Sequence, residues 1–286
     1  MSDRWTQHNM DKCGVAWFKM NEASGKVLDS KGSFVGTATN VSYNQKEGMY
    51  FNGTNSYVAF SNKIIPMGKK SIYLEVKLVD SNAWATILGN TRGYNYSGFR
   101  IELIDDKIKI YITREGDSNT GIILGLKGTV NLRDGQWHKI LFTCTGDTAP
   151  NGCKLYIDDM TTPNVQGSFK YLEKEKQTQN LQIGRRAYHN DAYFKGFVRN
   201  IQIYNDVIDP ISKYYFIQTN DNKIWTYNTT WQDTGMVIGD LDYTNVSAKS
   251  NFETYGMFAD ENLSSQALQD LKEMGYTSYR VLMGKM

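Results

Sequence analysis

Two stretches of this sequence concentrate side chains able to hold a sugar. Residues 91–97 include Tyr94, Asn95 and Tyr96 beside Arg92, and no strand period requires the two aromatics there. Residues 185–193 supply Arg185, Arg186, Tyr188, His189 and Tyr193 in a second loop-like segment. Aromatic rings stack on the apolar faces of sugars, while amides and guanidinium groups fix the hydroxyls. The candidate ligand positions are therefore Tyr94, Asn95, Tyr96, Arg185, Tyr188, His189 and Tyr193. The competing reading is that loop tyrosines, in a chain with 19 Tyr, simply pack on a rim.

Catalytic chemistry is harder to assemble. His138 is the most tempting catalytic residue, but no serine or cysteine motif accompanies it, so a structural role is expected. Three His and three Cys are scattered without zinc-ligand spacing. No glycine pattern of a phosphate loop occurs, and the glycines read as turn positions. Cys144 and Cys153 flank a predicted hairpin loop, where a bridge and a pair of buried thiols both stay open, with Cys13 left over. The expectation is a non-enzyme.

The elements that must position these loops read as strands up to about residue 205. Residues 71–78, 99–103 and 107–112 alternate apolar and polar with period two, the signature of half-buried strands. Asp105 and Asp106 join the last two as a hairpin with a short polar turn. Residues 139–143 and 154–157 flank a Gly/Asp/Pro/Asn-rich turn in the same way. Trp137, just before a long inward-facing strand, suits the core. Many short strands punctuated by Gly, Asn and Asp predict a two-sheet sandwich.

Beyond Asp209 and Pro210 the character changes. Residues 216–219 and 223–227 predict a tight hairpin. Ser250 to Glu253 reads as a capping box opening a short helix. Ser264 or Ser265 caps a second helix with Leu268, Leu271 and Met274 on one face and Gly275 as its stop. Residues 279–283 predict a final strand. The division is thus 1–208, a sandwich, and 209–286, a small α+β unit with little core of its own, expected to dock on a partner.

Bulk properties exclude several classes. Hydrophobic residues are 40% and charged residues 22% of the 286, which suits a folded chain. Net charge is +2 with the signs interspersed, so nucleic acid is not an expected partner. No run approaches 18 apolar residues and the N-terminus shows no apolar signal region, so no membrane partner is expected and assembly in a reducing cytoplasm is.

Four segments together resemble the laminin G-like, or concanavalin A-like, jelly-roll family. They are Trp17 to Gly25 with Asp29, Ser30 and Gly32; Tyr50, Phe51, Gly53, Tyr57 and Val58; Asp134, Gly135, Trp137 and His138 leading to Leu155, Tyr156, Ile157 and Asp158; and Ile183, Gly184, then Phe194 to Asn205. The resemblance implies an all-β fold, a two-sheet antiparallel jelly-roll sandwich, followed here by the small α+β unit. It also implies calcium at the sandwich rim, with Glu22 and Asp29 as metal ligands. Where the family carries an acidic pair near its closing strand, this chain has Arg199 and Asn200. Jelly-roll glucanases of the superfamily place catalytic acids as Glu-x-Asp-x-Glu on one strand, a triplet absent here.

The C-terminal unit resembles segments that follow such jelly rolls in bacteriophage and phage-like tail proteins. That resemblance implies a virion or tail-particle protein assembled in the host cytoplasm. Its jelly roll would bind a bacterial surface glycan, and its second unit would attach to other virion or tail subunits in a homo-oligomeric or multi-copy assembly. An inert structural decoration protein is the alternative, and a secreted glycan-active enzyme or its carbohydrate-binding module is the second.

Overall fold

The computed structural model describes residues 3–284 apart from 81–83, 93–95, 115–120, 161, 171–175, 189–190, 209–214, 220–222, 229, 238–245, 255–264 and 277. By contacts the chain divides into two compact units, Asn9–Ile208 and Met1–His8 with Asp209–Met286.

In chain order come α1 (Asp3–Cys13), β1 (Gly14–Phe18), β2 (Lys26–Leu28), β3 (Val35–Thr39), β4 (Ser42–Asn44), β5 (Gly48–Asn52), β6 (Tyr57–Phe60) and β7 (Lys70–Leu78). They are followed by β8 (Trp84–Gly89), β9 (Gly98–Ile104), β10 (Lys107–Thr113), β11 (Ile122–Lys127), β12 (His138–Cys144), β13 (Cys153–Ile157), β14 (Val165–Gly167), β15 (Gln182–Ile183) and β16 (Lys195–Tyr204). One eight-stranded sheet runs β14-β13-β12-β7-β16-β5-β4, with β1 also on β16; the other runs β11-β10-β9-β8-β15-β6-β3-β2. Every pairing in both is antiparallel.

Period-two alternation builds the sandwich. β7 sends Ile72, Leu74, Val76 and Leu78 into the core, and Tyr73, Glu75 and Lys77 to the opposite face. Across the gap, Phe99, Ile101 and Leu103 of β9 and Ile108, Ile110 and Ile112 of β10 bury against them. Burying side chains of this size stabilises by about 1.5–3 kcal/mol each. The β9–β10 hairpin turns on Asp105 and Asp106, at φ 53° and 58°. Two left-handed residues match a type I′ turn, whose twist suits the flanking strands. The fold is the all-β antiparallel jelly-roll sandwich that the sequence predicts.

The second unit, described by itself, holds β17 (Tyr215–Thr219), β18 (Lys223–Asn228), β19 (Thr230–Val237), β20 (Val246–Thr254), α2 (Ser265–Glu273) and β21 (Ser278–Gly284), with sheet order β19-β18-β17-β21-β20. α2 buries Leu271, and Gly275 follows it at φ 84°, the left-handed stop the sequence predicts. Two expectations are corrected. The capping-box segment at Ser250 to Glu253 is not helical: it lies within β20, where residues 250–252 form an irregularity between the pairs Lys249–Val281 and Glu253–Tyr279, because ladder pairing on both sides outweighs a four-residue capping signal. Residues 3–13, where no helix was expected, form α1, a polar-rich helix that buries Met10.

Candidate functional site

Two loops rise side by side because β15 pairs with β8. Gln182 stands opposite Gly89 and Ile183 opposite Leu88, so the chain leaving β15 starts beside the β8–β9 loop. The β8–β9 loop is tied at its base. Asn90 donates its N–H to the Phe99 carbonyl and accepts the Phe99 N–H on Oδ1 at 2.8 Å. The hydroxyls of Thr91 and Thr113 both donate to the Tyr96 carbonyl, at 2.8 and 2.6 Å. Gly98, at φ 149°, closes against Asn90 and Thr91, where a Cβ would lie 2.8 Å from that of Thr91.

The loop after β15 lies along β8. Gly184 donates to the Ile87 carbonyl at 2.7 Å, and Thr86 donates to that of Ala192 at 2.8 Å. Arg186 grips Asp191 with two N–H groups, one of them at 2.9 Å, which pins the loop's two limbs. Bidentate guanidinium–carboxylate pairs are both stronger and more directional than single contacts. Tyr188 at its tip sits at φ 110°, a region side-chain-bearing residues seldom adopt, and is 58% exposed.

Between the loops stands Arg92. Its guanidinium carbon is 3.5 Å from the Tyr188 ring centroid and 4.4 Å from that of Tyr96. Cation–π stacking of this kind contributes about 0.5–2 kcal/mol. The motif repeats alongside: Arg185 lies 3.4 Å over Tyr57 with its Nε donated to Gln182, and Arg186 lies 5.0 Å over Trp84. The result is a shelf of arginines interleaved with tyrosine and tryptophan rings.

A buried ion pair belongs to the same outer sheet face. Arg100 and Glu102 alternate with core residues on β9 and so point away from the core, yet both are fully buried, 2.7 Å apart. Arg100 also lies under the Tyr111 ring at 4.7 Å. Burial pushes the Glu102 carboxyl up, against the pull of the Arg100 and Arg186 charges. Glu102 thereby touches the charges of the shelf electrostatically.

Of the residues named from sequence, Tyr96 and Tyr188 meet on Arg92, Arg185 stacks beside them, and Tyr193 is half-buried in the same loop. Tyr94, Asn95 and His189 lie outside the described residues. Sequence reasoning passed over Arg92, Trp84 and Tyr57. Arg92 was legible as a loop cation next to aromatics, but nothing local marks Trp84 or Tyr57 as its neighbours.

The carboxylates read as calcium ligands have other work. Asp29 Oδ1 accepts the N–H groups of Trp17 and Lys31, at 2.8 and 3.0 Å, and Oδ2 accepts that of Ser33 at 3.1 Å. Glu22 Oε1 accepts the Leu28 N–H at 2.8 Å, while Oε2 is buried without a hydrogen-bond partner. Among the described residues no three His, Cys, Asp or Glu converge as a metal cluster. Calcium takes six to eight oxygens, so here Glu22 Oε2 and backbone carbonyls would have to supply most of them.

On the other sheet, His138 is a clamp. Its Nδ1 meets Asp158 at 2.8 Å and its Nε2 meets Asp134 at 2.9 Å, occupying both ring nitrogens. Burial pulls its pKa down, but the two carboxylate hydrogen bonds outweigh this and raise it. Trp137 corrects an expectation: it is half-buried on the face away from the core, 3.9 Å under the Arg199 guanidinium. The alternation that sends His138, Ile140 and Phe142 inward sends Trp137 outward. Glu75 on that face accepts from Arg199, Asn200 and Tyr73, and these donors hold its carboxyl low against the upward push of burial.

A family model described as the concanavalin A-like lectin/glucanases superfamily matches residues 52–210. No curated protein matches the chain in sequence. Among solved structures, the botulinum neurotoxin serotype D binding domain is 13% identical with a TM-score of 0.51, over 78% of this chain and 62% of that one. A botulinum neurotoxin type C structure, whose uptake into cells depends on interaction with two ganglioside molecules, is 11% identical at TM-score 0.55, over 79% and 62%. Domain 4 of AbnA, a GH43 extracellular arabinanase from Geobacillus stearothermophilus in complex with arabinotriose, is 20% identical at TM-score 0.50, over 69% and 95%. These likenesses are of fold, and the chain spans 62% of the length of the botulinum domains it matches.

Proposed function

This chain belongs to the concanavalin A-like lectin/glucanases superfamily, and from that membership we propose that its arginine–tyrosine shelf binds carbohydrate without cleaving it. The observation that carries the reading is Tyr188, 58% exposed with Arg92 stacked on one ring face. A ring placed rigidly by a cation and still largely exposed presents surface on which a sugar can stack. The two solved relatives whose descriptions mention arabinotriose and gangliosides lend support by analogy of fold alone.

Several observations favour binding over catalysis. Glycoside hydrolysis needs paired carboxylates about 5–9.5 Å apart across a bond. The outward-facing acids Glu75 and Glu102 are each engaged by an arginine. The finer reading is a virion or phage-like tail protein, assembled in multiple copies in the host cytoplasm, that adheres to a bacterial surface glycan. It rests on the sequence resemblance of the C-terminal unit. Calcium at Glu22 belongs to the same proposal and rests on its unpartnered Oε2. A second reading, an accessory module of a glycan-active enzyme, is favoured by the 95% coverage of the arabinanase domain.

The test is an array of bacterial surface polysaccharides probed with the full chain, with and without calcium. Retention of at least one polymer, with no reducing sugar released, is the expected result. Release of reducing ends would replace the reading with an enzyme, and silence across the array would leave an inert decoration protein.

A further inference from the structure

Arg92 differs from its neighbours in how its charge is balanced. Arg186 is held by Asp191, Arg199 by Glu75 and Arg100 by Glu102. Arg92 lies over two tyrosine rings, at 3.5 and 4.4 Å from their centroids, and its Nε is buried without a hydrogen-bond partner. Among the described residues no carboxylate pairs with it. A half-buried guanidinium packed on two tyrosine rings is partly desolvated and directs its polar contacts through its N–H edge. That edge is a planar fork of donors, matched to two oxygens of a carboxylate or phosphate.

We infer that the shelf is selective for an anionic glycan, with the ligand's carboxylate or phosphate received on the edge of Arg92 and an adjacent sugar ring stacked on Tyr188. The inference rests on the carbohydrate-binding reading above and names the substrate class of that same site. Arg185 adds positive charge beside the loop and raises the local concentration of such a polymer. Asp191 is the acid in the shelf, and both its oxygens face Arg186 rather than the ligand edge. A neutral sugar could stack on Tyr188 but would bring no charge to the Arg92 donors.

The experiment is titration calorimetry of the full chain against three polymers: a polyuronate, the same polymer with its carboxyls reduced to alcohols, and a polyol phosphate. The expected result is that a charged polymer binds at least tenfold more tightly than the reduced one, with affinity falling as salt rises. Which charged polymer binds identifies carboxylate or phosphate as the group received. Arg92→Gln is expected to erase the preference while keeping weak binding of the reduced polymer, and Arg92→Lys to restore only part of it. Equal binding of charged and reduced polymers by the unmodified protein would overturn the inference and leave the carbohydrate reading standing. Binding of none of the three, together with silence on the polysaccharide array, would overturn both. The unmodified-protein comparison decides the matter even where a variant fails to fold.

Discussion

Arg92 and Tyr188 come from loops far apart in the chain, yet the guanidinium carbon stands 3.5 Å from the ring centroid. The contact exists because β15 inserts beside β8, which sets the start of one loop against the base of the other. A planar cation packed on two rings contributes packing as well as charge. Tyr188 is held in a backbone conformation that only surrounding contacts can maintain. The pair links sheet topology to surface chemistry.

The buried pair beneath the shelf predicts a stability effect. Glu102→Ala removes the carboxylate 2.7 Å from a fully buried guanidinium. Breaking such a pair on one side costs about 3–5 kcal/mol, whereas replacing both partners by apolar residues of similar size is near neutral. Urea melts should show a large loss for Glu102→Ala and a small one for Arg100→Met with Glu102→Leu. A single-variant loss under about 1 kcal/mol would contradict the assignment, since that is the range of exposed pairs.

His138 gives a pH dependence with a definite sign. Burial opposes its charge, but hydrogen bonds to Asp158 and Asp134 win and raise its pKa in the folded state. A raised folded pKa means stability that is complete below the unfolded value, about 6.5, and is lost as pH rises through the folded value. The Tm advantage of the unmodified protein over His138→Gln should therefore be largest near pH 5.5 and shrink toward pH 9. A gap that stays constant across that range would show that the clamp works through neutral hydrogen bonds alone.

Much of this fold was legible in the sequence, and the reasons are local. β7, β9 and β10 announce themselves by alternation, the Asp105–Asp106 turn by its two small acids, and the end of α2 by Gly275. The site was legible as two loops but not as one shelf, because the pairing of the two-residue β15 with β8 is a long-range event that no short pattern encodes. Trp137 was misplaced by a single position of strand parity, which flips a side chain to the other face. The capping box at Ser250 failed for the opposite reason: a correct local signal lost to a ladder formed with residues about thirty positions away.

Calcium makes a simple thermal prediction. If Glu22 Oε2 and nearby carbonyls hold the ion, calcium at a hundred times its dissociation constant stabilises by about 2.7 kcal/mol. The melt should rise by several degrees over the chelator-treated protein, and Glu22→Gln should abolish the rise. Identical melts with calcium and with chelator would remove the ion from the account and leave Asp29 as an organiser of its turn.

Cys144 and Cys153 predict a redox outcome. They stand directly opposite in the β12–β13 ladder, with Sγ atoms 2.8 Å apart. The next pair is hydrogen-bonded through Thr145 N–H and the Gly152 carbonyl, which makes theirs the close, non-hydrogen-bonded kind. Cα atoms in such a pair lie about 4.5 Å apart, within disulfide range. Their mutual hydrogen bond and burial push the Cys153 thiol up and disfavour its thiolate in the folded hairpin. Refolding with oxidised glutathione should give a Cys144–Cys153 crosslink in non-reducing peptide maps, with Cys13 still alkylatable. Recovery of all three thiols as alkylated cysteines would contradict this.

The whole account turns on the exposed surface of one ring, that of Tyr188. The decisive measurement is the affinity of the full chain and of Tyr188→Ala for whichever polysaccharide the array retains, with Tm recorded for both. Aromatic stacking of this kind is lost at a cost of about 1–3 kcal/mol, which is roughly a 5- to 150-fold weaker Kd. Loss of the Arg92 stack should lower stability by about 0.5–2 kcal/mol, a fall of a few degrees in Tm that leaves the variant folded at the assay temperature. Weakening of that size in a variant still folded at the assay temperature is the predicted result; equal affinity in the two proteins would contradict it and move the binding surface elsewhere on the sandwich.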